Sequence, residues 1–344
     1  TSMSDELKTQ FLGEAKFLRA FYYYELSSMY GNVPLRTVPG GDAIKQGNIE
    51  DWKQILMDLR DASATMPAVR KTDGHVDKYC AEAMLGRAWL FYTGFFCNGS
   101  TIADLTSTNY SPLTSVDLPD GTTLTKQDVI GYIDDCVNNS GYKLVGDFRN
   151  LWAYTNKCTV KDYDYTKDAT DKDGNALKWV EDDENGNSNP DETERMFSIK
   201  FNKHANWNTG ANGYNGIGYC NQYALHFGVR GGQDYANTFP FGQGWGAGPV
   251  APNLVADWKS IEPNDPRLDA TVQDWTKSTT YTKGGGDGFV QETDYYGKKW
   301  APITAKKDDG SYVGNFEYVM FAGGWPSATD NNMQLDNIHD LVLM

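Results

Sequence analysis

The spacing of apolar residues in the opening segment restricts the fold more than any other feature of the sequence. Between residues 7 and 26, apolar residues recur every three or four positions: Leu7, Phe11, Ala15, Leu18, Tyr22 and Leu26. This period places them on one face of an α-helix, and such a face normally packs against the rest of the protein. Gly31 ends the helix and Pro34 prevents its continuation. The first element is therefore predicted to be an amphipathic helix.

Two more helices are predicted after this one. The first of them begins with Asn48 as its N-cap and stops before Pro67, because Asn is a preferred capping residue and Pro interrupts helices. Its apolar side carries Trp52, Ile55, Leu56 and Leu59. The next helix runs from about Val76 to Phe96, and its packing face carries Ala81, Leu85 and Ala88. Small residues at such positions let two helices approach closely.

The spacing in this pair is that of a tetratricopeptide repeat, which reads W-x2-L-G-x2-Y in its first helix and A-x3-F-x2-A in its second. Ordinary antiparallel packing of helices produces similar spacings. Thr125 with Asp128 predicts the N-terminal cap of a fourth helix. We predict a mainly α protein in which residues 1–152 form a tetratricopeptide-like helical scaffold. The opening helix has the pattern of a second helix, so we expect its partner to lie upstream of this chain.

The composition changes after Trp152. Residues 162–194 contain twelve acidic residues against three lysines and have little apolar periodicity, which predicts a solvated loop insertion over 153–194. Arg195–Asn202 alternates as a strand does. The remainder is rich in Gly, Asn and aromatic residues, so we predict that residues 195–344 form a loop-rich ligand-binding part with short strands. The last residues, Leu341–Met344, are expected to be cut off within an element.

The overall charge argues against one class of partner. The chain carries 31 basic and 46 acidic residues, for a net charge of −15, and would repel a phosphate backbone. We therefore predict no nucleic-acid partner. The apolar stretch Ala83–Phe96 is interrupted by Arg87 and is shorter than the roughly 20 residues that a membrane span requires. The five cysteines are scattered without a C-x-x-C pair, so neither a disulfide framework nor a zinc site is predicted.

Catalytic and cofactor motifs are scarce. The sequence has no G-x-S-x-G, H-E-x-x-H or P-loop motif, and its four histidines are far apart. The glycines at 242, 244, 246 and 248 are followed by prolines where a nucleotide-binding helix would begin. Residues 183–194 match a calcium-loop register only with Ser188 in place of the invariant glycine. We predict no catalytic residue, no metal and no cofactor, although a carboxylate pair of a glycoside hydrolase stays possible.

Aromatic residues in the polar, glycine-rich segments are the candidates for ligand binding. A flat ring with a polar edge stacks on a sugar face, while nearby amides and carboxylates bind the sugar hydroxyls. On this basis we predict a glycan as ligand. The predicted ligand-binding residues are Trp207, Tyr214, Trp275, Tyr296 and Trp325. Trp245 is a weaker candidate, since it belongs to a Gly-Trp-Gly turn.

Several motifs along the chain resemble one family. Phe11-Leu-Gly-Glu-Ala-Lys-Phe-Leu-Arg-Ala-Phe-Tyr-Tyr-Tyr-Glu-Leu26 with Tyr30-Gly-Asn-Val-Pro-Leu35 strongly resembles the E-A-[RK]-F-L-R-A-x-x-Y-F-x-L…Y-G-x-V-P-L signature of SusD/RagB-type proteins. Further matches follow in the family's order: Ala81–Ala88, Glu194–Phe201, Gly244-Trp245-Gly246 with Pro249, and Asn264–Val272. Together these motifs span nearly the whole chain.

This resemblance implies a lipoprotein at the cell surface, held to the outer membrane by a lipid anchor that is missing from this chain. Such proteins bind nutrient, usually a glycan, without catalysis and cap a SusC-like TonB-dependent transporter. The helical scaffold would contact the transporter and the loop-rich part would hold the ligand. Relatives of this type also take up peptides, so a peptide ligand stays open. A polysaccharide-active enzyme and a helical adaptor that binds only protein are two competing hypotheses.

Overall fold

A computed structural model describes residues 3–31, 33–40, 48–71, 74–99, 109–152, 168–171, 173–177, 193–197, 229–230, 243–244, 246–247, 249–276 and 293–298. The chain divides into two compact units. The first comprises Thr1–Leu144, Thr193–Phe197 and Asp336–Met344, and the second comprises Val145–Glu192 and Ser198–Leu335. The domain boundaries predicted after residues 152 and 194 stay predictions, because a compact unit is not by itself an independently folding domain.

The described part of the first unit is mainly helical, as predicted. Its helices are α1 (Asp5–Tyr30), α2 (Asn48–Thr65), α3 (Lys78–Trp89), which continues as a π-helix (Leu90–Phe96), and α4 (Lys126–Asn139). A short hairpin of β1 (Ser115–Asp117) and β2 (Thr123–Thr125) precedes α4. The predicted cap of α4 is confirmed, because Thr125 and Asp128 form a complete capping box.

The face of α1 that was predicted to pack is instead exposed. Leu18 is 40% exposed and Tyr22 is 59% exposed, and the rest of that set is exposed as well. The buried residues of α1 are Gly13, Phe17, Ala20, Phe21, Tyr24 and Ser27. Gly13 explains the choice of face, since a Cβ there would lie 2.5 Å from Cγ of Met66 just beyond α2. Close approach of the two helices therefore selects the face with small residues.

Charged residues on α1 join this helix to its neighbours. Arg19 donates to both carboxylate oxygens of Asp58 on α2 at 2.7 Å, and its third bond goes to the carbonyl of Thr37. Lys16 bonds Asp61 on α2 at 2.8 Å. The basic residues of the opening motif thus have structural partners, as expected for groups that hold two helices together.

The predicted pairing of α2 with α3 is confirmed. Every residue of the repeat pattern, from Trp52 to Leu59 on α2 and from Ala81 to Ala88 on α3, is fully buried. A second close approach joins α3 to α4, because a Cβ on Gly86 would lie 2.9 Å from Cδ1 of Ile133. The small residues of α3 therefore serve two neighbouring helices.

An aromatic cluster closes one end of the α2–α3 pair. The π-helix brings Phe91, Tyr92 and Phe96 to ring-centre distances of 5.2–5.8 Å from Trp52. Tyr24 of α1 meets Trp52 edge to face at 5.6 Å. Such ring contacts add to the free energy of burial, and here they tie three helices to one indole.

The described part of the second unit contains short elements. A 3₁₀-helix (Phe148–Trp152) comes first, and β3 (Val229–Arg230) then pairs in parallel with β4 (Gln243–Gly244). Helices α5 (Pro252–Ile261) and α6 (Pro266–Thr271) lead into β5 (Val272–Asp274), which is antiparallel to β6 (Tyr295–Gly297). Val255 on α5, Leu268 on α6 and Val272 on β5 form a small buried core.

Three further predictions concern a strand, the cysteines and membrane crossing. Residues 195–197 of the strand predicted over Arg195–Asn202 are not in a strand, and its other residues lie outside the described part. Cys80, Cys97 and Cys136 are free, and the first and last are buried. Among the described residues, no helix is both long and apolar enough to cross a membrane.

Candidate ligand-binding site

Two of the five predicted ligand-binding residues lie in the described part of the chain, and both belong to the second unit. Trp275 directly follows β5, and Tyr296 is the central residue of β6. Trp207, Tyr214 and Trp325 lie outside the described residues, as does Trp245. The structure therefore places Trp275 just after β5 and Tyr296 on the neighbouring β6, although about twenty residues separate them in the sequence.

The register of the two strands sets this arrangement. Gln273 pairs with Tyr296, Asp274 pairs with Tyr295, and the amide of Trp275 donates to the carbonyl of Asp294 at 2.9 Å. Asp294 has a φ of 65°, a backbone conformation that only a few per cent of residues other than glycine adopt. This residue directs the chain into β6 opposite Trp275.

The two aromatic rings differ in exposure. Tyr296 is fully buried, so a stacking role would require its ring to become exposed. Trp275 is half-buried, and part of its surface is open. The ligand-binding roles of all five residues stay predictions, with Trp275 as the described member that a ligand could reach.

A cluster of side chains that the sequence analysis did not predict lies on the opposite face of the two strands. Side chains alternate along a strand, so Asp274 and Tyr295 face away from Tyr296. Lys259 of α5 lies 3.1 Å from the Asp274 carboxylate and 5.9 Å from the centre of the Tyr295 ring. The hydrogen bond to Asp274 raises the pKa of Lys259. The sequence signal for this cluster was the consecutive pair Tyr295 and Tyr296. Neighbouring residues of a strand place their side chains on opposite faces, so one of the two rings must lie on each face.

A buried lysine closes the far end of the strand pair. The amide of Lys298 donates to the carbonyl of Thr271 at 2.8 Å, and its ammonium group donates to the carbonyl of Asp269. Desolvation lowers the pKa of Lys298 to about 8. This side chain joins the end of β6 to α6. The contact helps to hold β5 and β6 in register at the end of the strand pair that lies opposite Trp275.

No metal site emerges from the described residues: no three His, Cys, Asp or Glu side chains there come close enough to hold an ion. The weak calcium register at 183–194 lies outside the described part except for Thr193 and Glu194. Glu194 is buried in the first unit.

Comparison with known proteins gives this geometry a context. Residues 1–90 match a SusD-like family described as starch-binding and associating with the outer membrane. A solved laminarin-binding SusD-like protein has a similar fold over 97% of this chain, with a TM-score of 0.58 and 20% identity. The fold of this chain is that of SusD-like proteins, and the likeness to the family model is confined to residues 1–90. The opening motif that joins α1 to α2 lies inside the matched segment, so the matched residues include the contacts described for Arg19 and Lys16.

Two other solved structures share the fold of this chain. Surface glycan-binding protein A from Bacteroides thetaiotaomicron, solved with laminarihexaose, aligns over 100% of the chain with a TM-score of 0.58 and 14% identity. A SusD homologue from the same organism aligns over 99% with a TM-score of 0.54 and 15% identity. At such identities the likeness concerns the fold.

The chain spans little more than half of these proteins. It covers 57% of the laminarin-binding protein, 59% of surface glycan-binding protein A and 56% of the SusD homologue. No curated protein matches the chain. Ligand, partner and location are therefore matters for proposal.

Proposed function

We propose that this SusD-like protein binds a glycan at the cell surface without catalysis and delivers it to a SusC-like TonB-dependent transporter in the outer membrane. The observation that carries this proposal is the match of residues 1–90 to a family described as starch-binding and associating with the outer membrane. Solved proteins of the same fold are named for binding laminarin or other glycans. A lipid anchor outside the given sequence would hold the protein at the membrane.

The proposed ligand site lies in the second unit around Trp275, with Trp207, Tyr214, Tyr296 and Trp325 as further members. The geometry near Trp275 suits a sugar, because the half-buried indole leaves part of its ring surface open to stack on a sugar face. Stacking of a ring on a sugar would add about 0.5–1.5 kcal/mol for each aromatic residue.

Affinity electrophoresis in gels that contain polysaccharides tests the glycan site. Each of the five aromatic residues is replaced by alanine in turn, and we expect at least two variants to migrate with less retardation at an unchanged melting temperature. Val69→Ala is the matched control, since this apolar residue is exposed in the first unit. Normal retardation of all five variants would place the site elsewhere.

The same samples separate the competing function classes. Release of reducing ends would favour a glycoside hydrolase. Binding of peptides without binding of any polysaccharide would favour a peptide-binding relative. Retardation without turnover is the result that the proposal requires.

The exposed stripe of α1 supports a docking surface for the transporter. It consists of Leu7, Phe11, Leu18, Tyr22, Leu26 and Met29, all exposed. From Leu7 to Met29 it extends about 33 Å at the helical rise per residue. An apolar strip of that length on a single helix is typical of a surface that binds another protein. A stable cap on a transporter would bury more than the ~1,600 Å² of a standard interface.

Co-purification from membranes tests the partner. Tagged full-length protein with its native leader is extracted in mild detergent, and we expect a large barrel protein to accompany it. Leu18→Glu with Tyr22→Glu should remove that protein, whereas Val69→Glu should retain it. If no barrel protein accompanies the unaltered chain, the transporter proposal fails, and if the double variant retains it, the stripe is not the contact.

A further inference from the structure

A cavity in the first unit is lined by none of the residues predicted to bind a ligand. It has a volume of about 680 Å³ and is bounded by α2, α3, β2 and α4. Volumes of about 300–1,000 Å³ are usual for small-molecule sites. Exposed residues of α4, among them Gln127 and Gly131, line its edge, so the cavity is accessible from solvent.

A carboxyl group without a hydrogen-bond partner forms part of the cavity wall. The side chain of Glu82 is 1% exposed, and neither of its oxygens accepts a hydrogen bond from the described residues. The ammonium nitrogen of Lys78 lies 3.4 Å from one of them, without the alignment of a hydrogen bond. Burial raises the pKa of Glu82 to about 8. Buried polar groups in proteins nearly always have partners, so this carboxyl group keeps hydrogen-bonding capacity beyond its ion pair with Lys78 and its interaction with Asp135.

The other charged groups around the cavity are already paired. Lys78 bonds Asp135 on α4. Arg60 on α2 bonds Asp120 at 2.7 Å and Thr122 at 2.6 Å. Asp128 belongs to the capping box of α4. Glu82 therefore differs from its neighbours, because it alone among these carboxyl groups lacks a hydrogen-bond partner in the described structure.

The chemistry of the wall selects the class of ligand. An anion would meet the carboxylates of Asp128 and Asp135, whose pKa values are lowered, so both are charged and repel it. A single small cation would occupy little of a 680 Å³ cavity and would make no use of the hydrogen-bond donors of Gln127 and Tyr132. A neutral polyhydroxylated molecule offers hydroxyl donors and acceptors together with an apolar ring face, which suits Tyr132 and Leu124.

We propose that this cavity is a second carbohydrate site, in which a sugar hydroxyl forms a hydrogen bond with the carboxyl group of Glu82 and the ring lies against Tyr132. The proposed site lies within the helical unit and has a cavity of its own. It does not depend on the aromatic site proposed around Trp275, and the two can be tested separately.

Hydrogen exchange measured by mass spectrometry locates binding. The intact chain is incubated with D-glucose, D-galactose, D-mannose or laminarihexaose, and we expect at least one of these sugars to slow exchange in peptides that cover Thr122–Asp135. Slower exchange only in peptides that cover Val272–Lys298 would support the site around Trp275 and overturn this one. No change at Thr122–Asp135 with any of the four sugars would also overturn it.

Variants then assign the effect to the cavity. Gly131→Trp should fill the entrance without strain, since no heavy atom lies within 4 Å of a Cβ added there. Glu82→Gln keeps the shape of the side chain and removes its charge. Each should weaken binding at least about tenfold, Gly131→Trp because it blocks the entrance and Glu82→Gln because it removes a charge-assisted hydrogen bond. Calorimetry at pH 9, where Glu82 is ionised in the unaltered chain, measures the change.

The matched control is Glu6→Gln, an exposed glutamate on α1, which should bind as the unaltered chain does. Melting curves identify any variant that fails to fold. The affinity of the cavity variant that does fold then tests the proposal. Equal affinity of the folded cavity variants and the unaltered chain would contradict the proposal, even if exchange at Thr122–Asp135 is slowed.

Discussion

The two faces of α1 differ in a way that their residue types alone do not suggest. One face carries apolar residues in regular helical spacing and is exposed, with Leu18 at 40% and Tyr22 at 59%. The other face carries Gly13, Arg19 and Lys16 beside Phe17, and it is this face that contacts α2. The comparison teaches that close approach and ion pairing decide which face of this helix is buried.

Neighbouring residues of α1 give the sharpest test of this difference. Phe17→Ala removes a ring that is fully buried and lies 5.2 Å from the ring of Phe197, and should cost about 3–5 kcal/mol of unfolding free energy. Leu18→Ala should change stability by less than about 0.5 kcal/mol, because the side chain already contacts solvent. Urea denaturation measures both. Equal losses would show that both faces are packed.

The ion pair on the buried face should have the next largest effect. Arg19→Ala leaves the carboxylate of Asp58, whose side chain is 1% exposed, without its bidentate partner. We expect a loss of about 3 kcal/mol, since an uncompensated buried charge is costly. Lys8→Ala is the control, because its ion pair with Asp5 is exposed and such pairs contribute little. A similar small effect for both variants would assign the pairing of α1 with α2 to apolar contacts alone.

Packing of α2 against α3 can be disturbed by adding volume. Ala88→Leu should overfill a fully buried position and cost about 1–3 kcal/mol. The same change at Ala15, which is exposed on α1, should leave the melting temperature almost unchanged. A variant at Ala88 that melts as the unaltered chain does would contradict the tetratricopeptide-like packing.

The smallest expected effect concerns a polar residue on a buried face. Burial raises the pKa of Glu82 to about 8, so the folded state holds this proton more tightly than the unfolded state does. Its contribution to stability is complete below the pKa of an exposed glutamate and is lost as the pH rises through about 8. Between about pH 6 and 9 the unaltered chain should lose about 1 kcal/mol or more relative to Glu82→Gln.

Urea denaturation at several pH values measures that difference. Asp51, another buried carboxyl group whose pKa is raised by desolvation, is present in both proteins and cancels from the comparison. Parallel pH profiles for Glu82→Gln and the unaltered chain would show that Glu82 is as well solvated as an exposed residue.

Much of the helical unit was predictable from local patterns. The bounds of α2, the cap at Thr125 and the small residues of α3 all follow from rules that act within a few residues. The candidate ligand site around Trp275 was less predictable. Trp275 and Tyr296 were identified as aromatic residues in polar segments, but only the pairing of β5 with β6 places them together and buries one of them.

The sequence by itself determined that α1 is a helix and that α2 pairs with α3, because each depends on residue types at fixed short spacings. Only the tertiary structure decided which face of α1 is buried and that Glu82 has no hydrogen-bond partner among the described residues beside a cavity. The physical reason is the same in both cases. Helical periodicity tells which residues share a face, but burial depends on how closely another helix approaches, and that distance is set by residues far away in the chain.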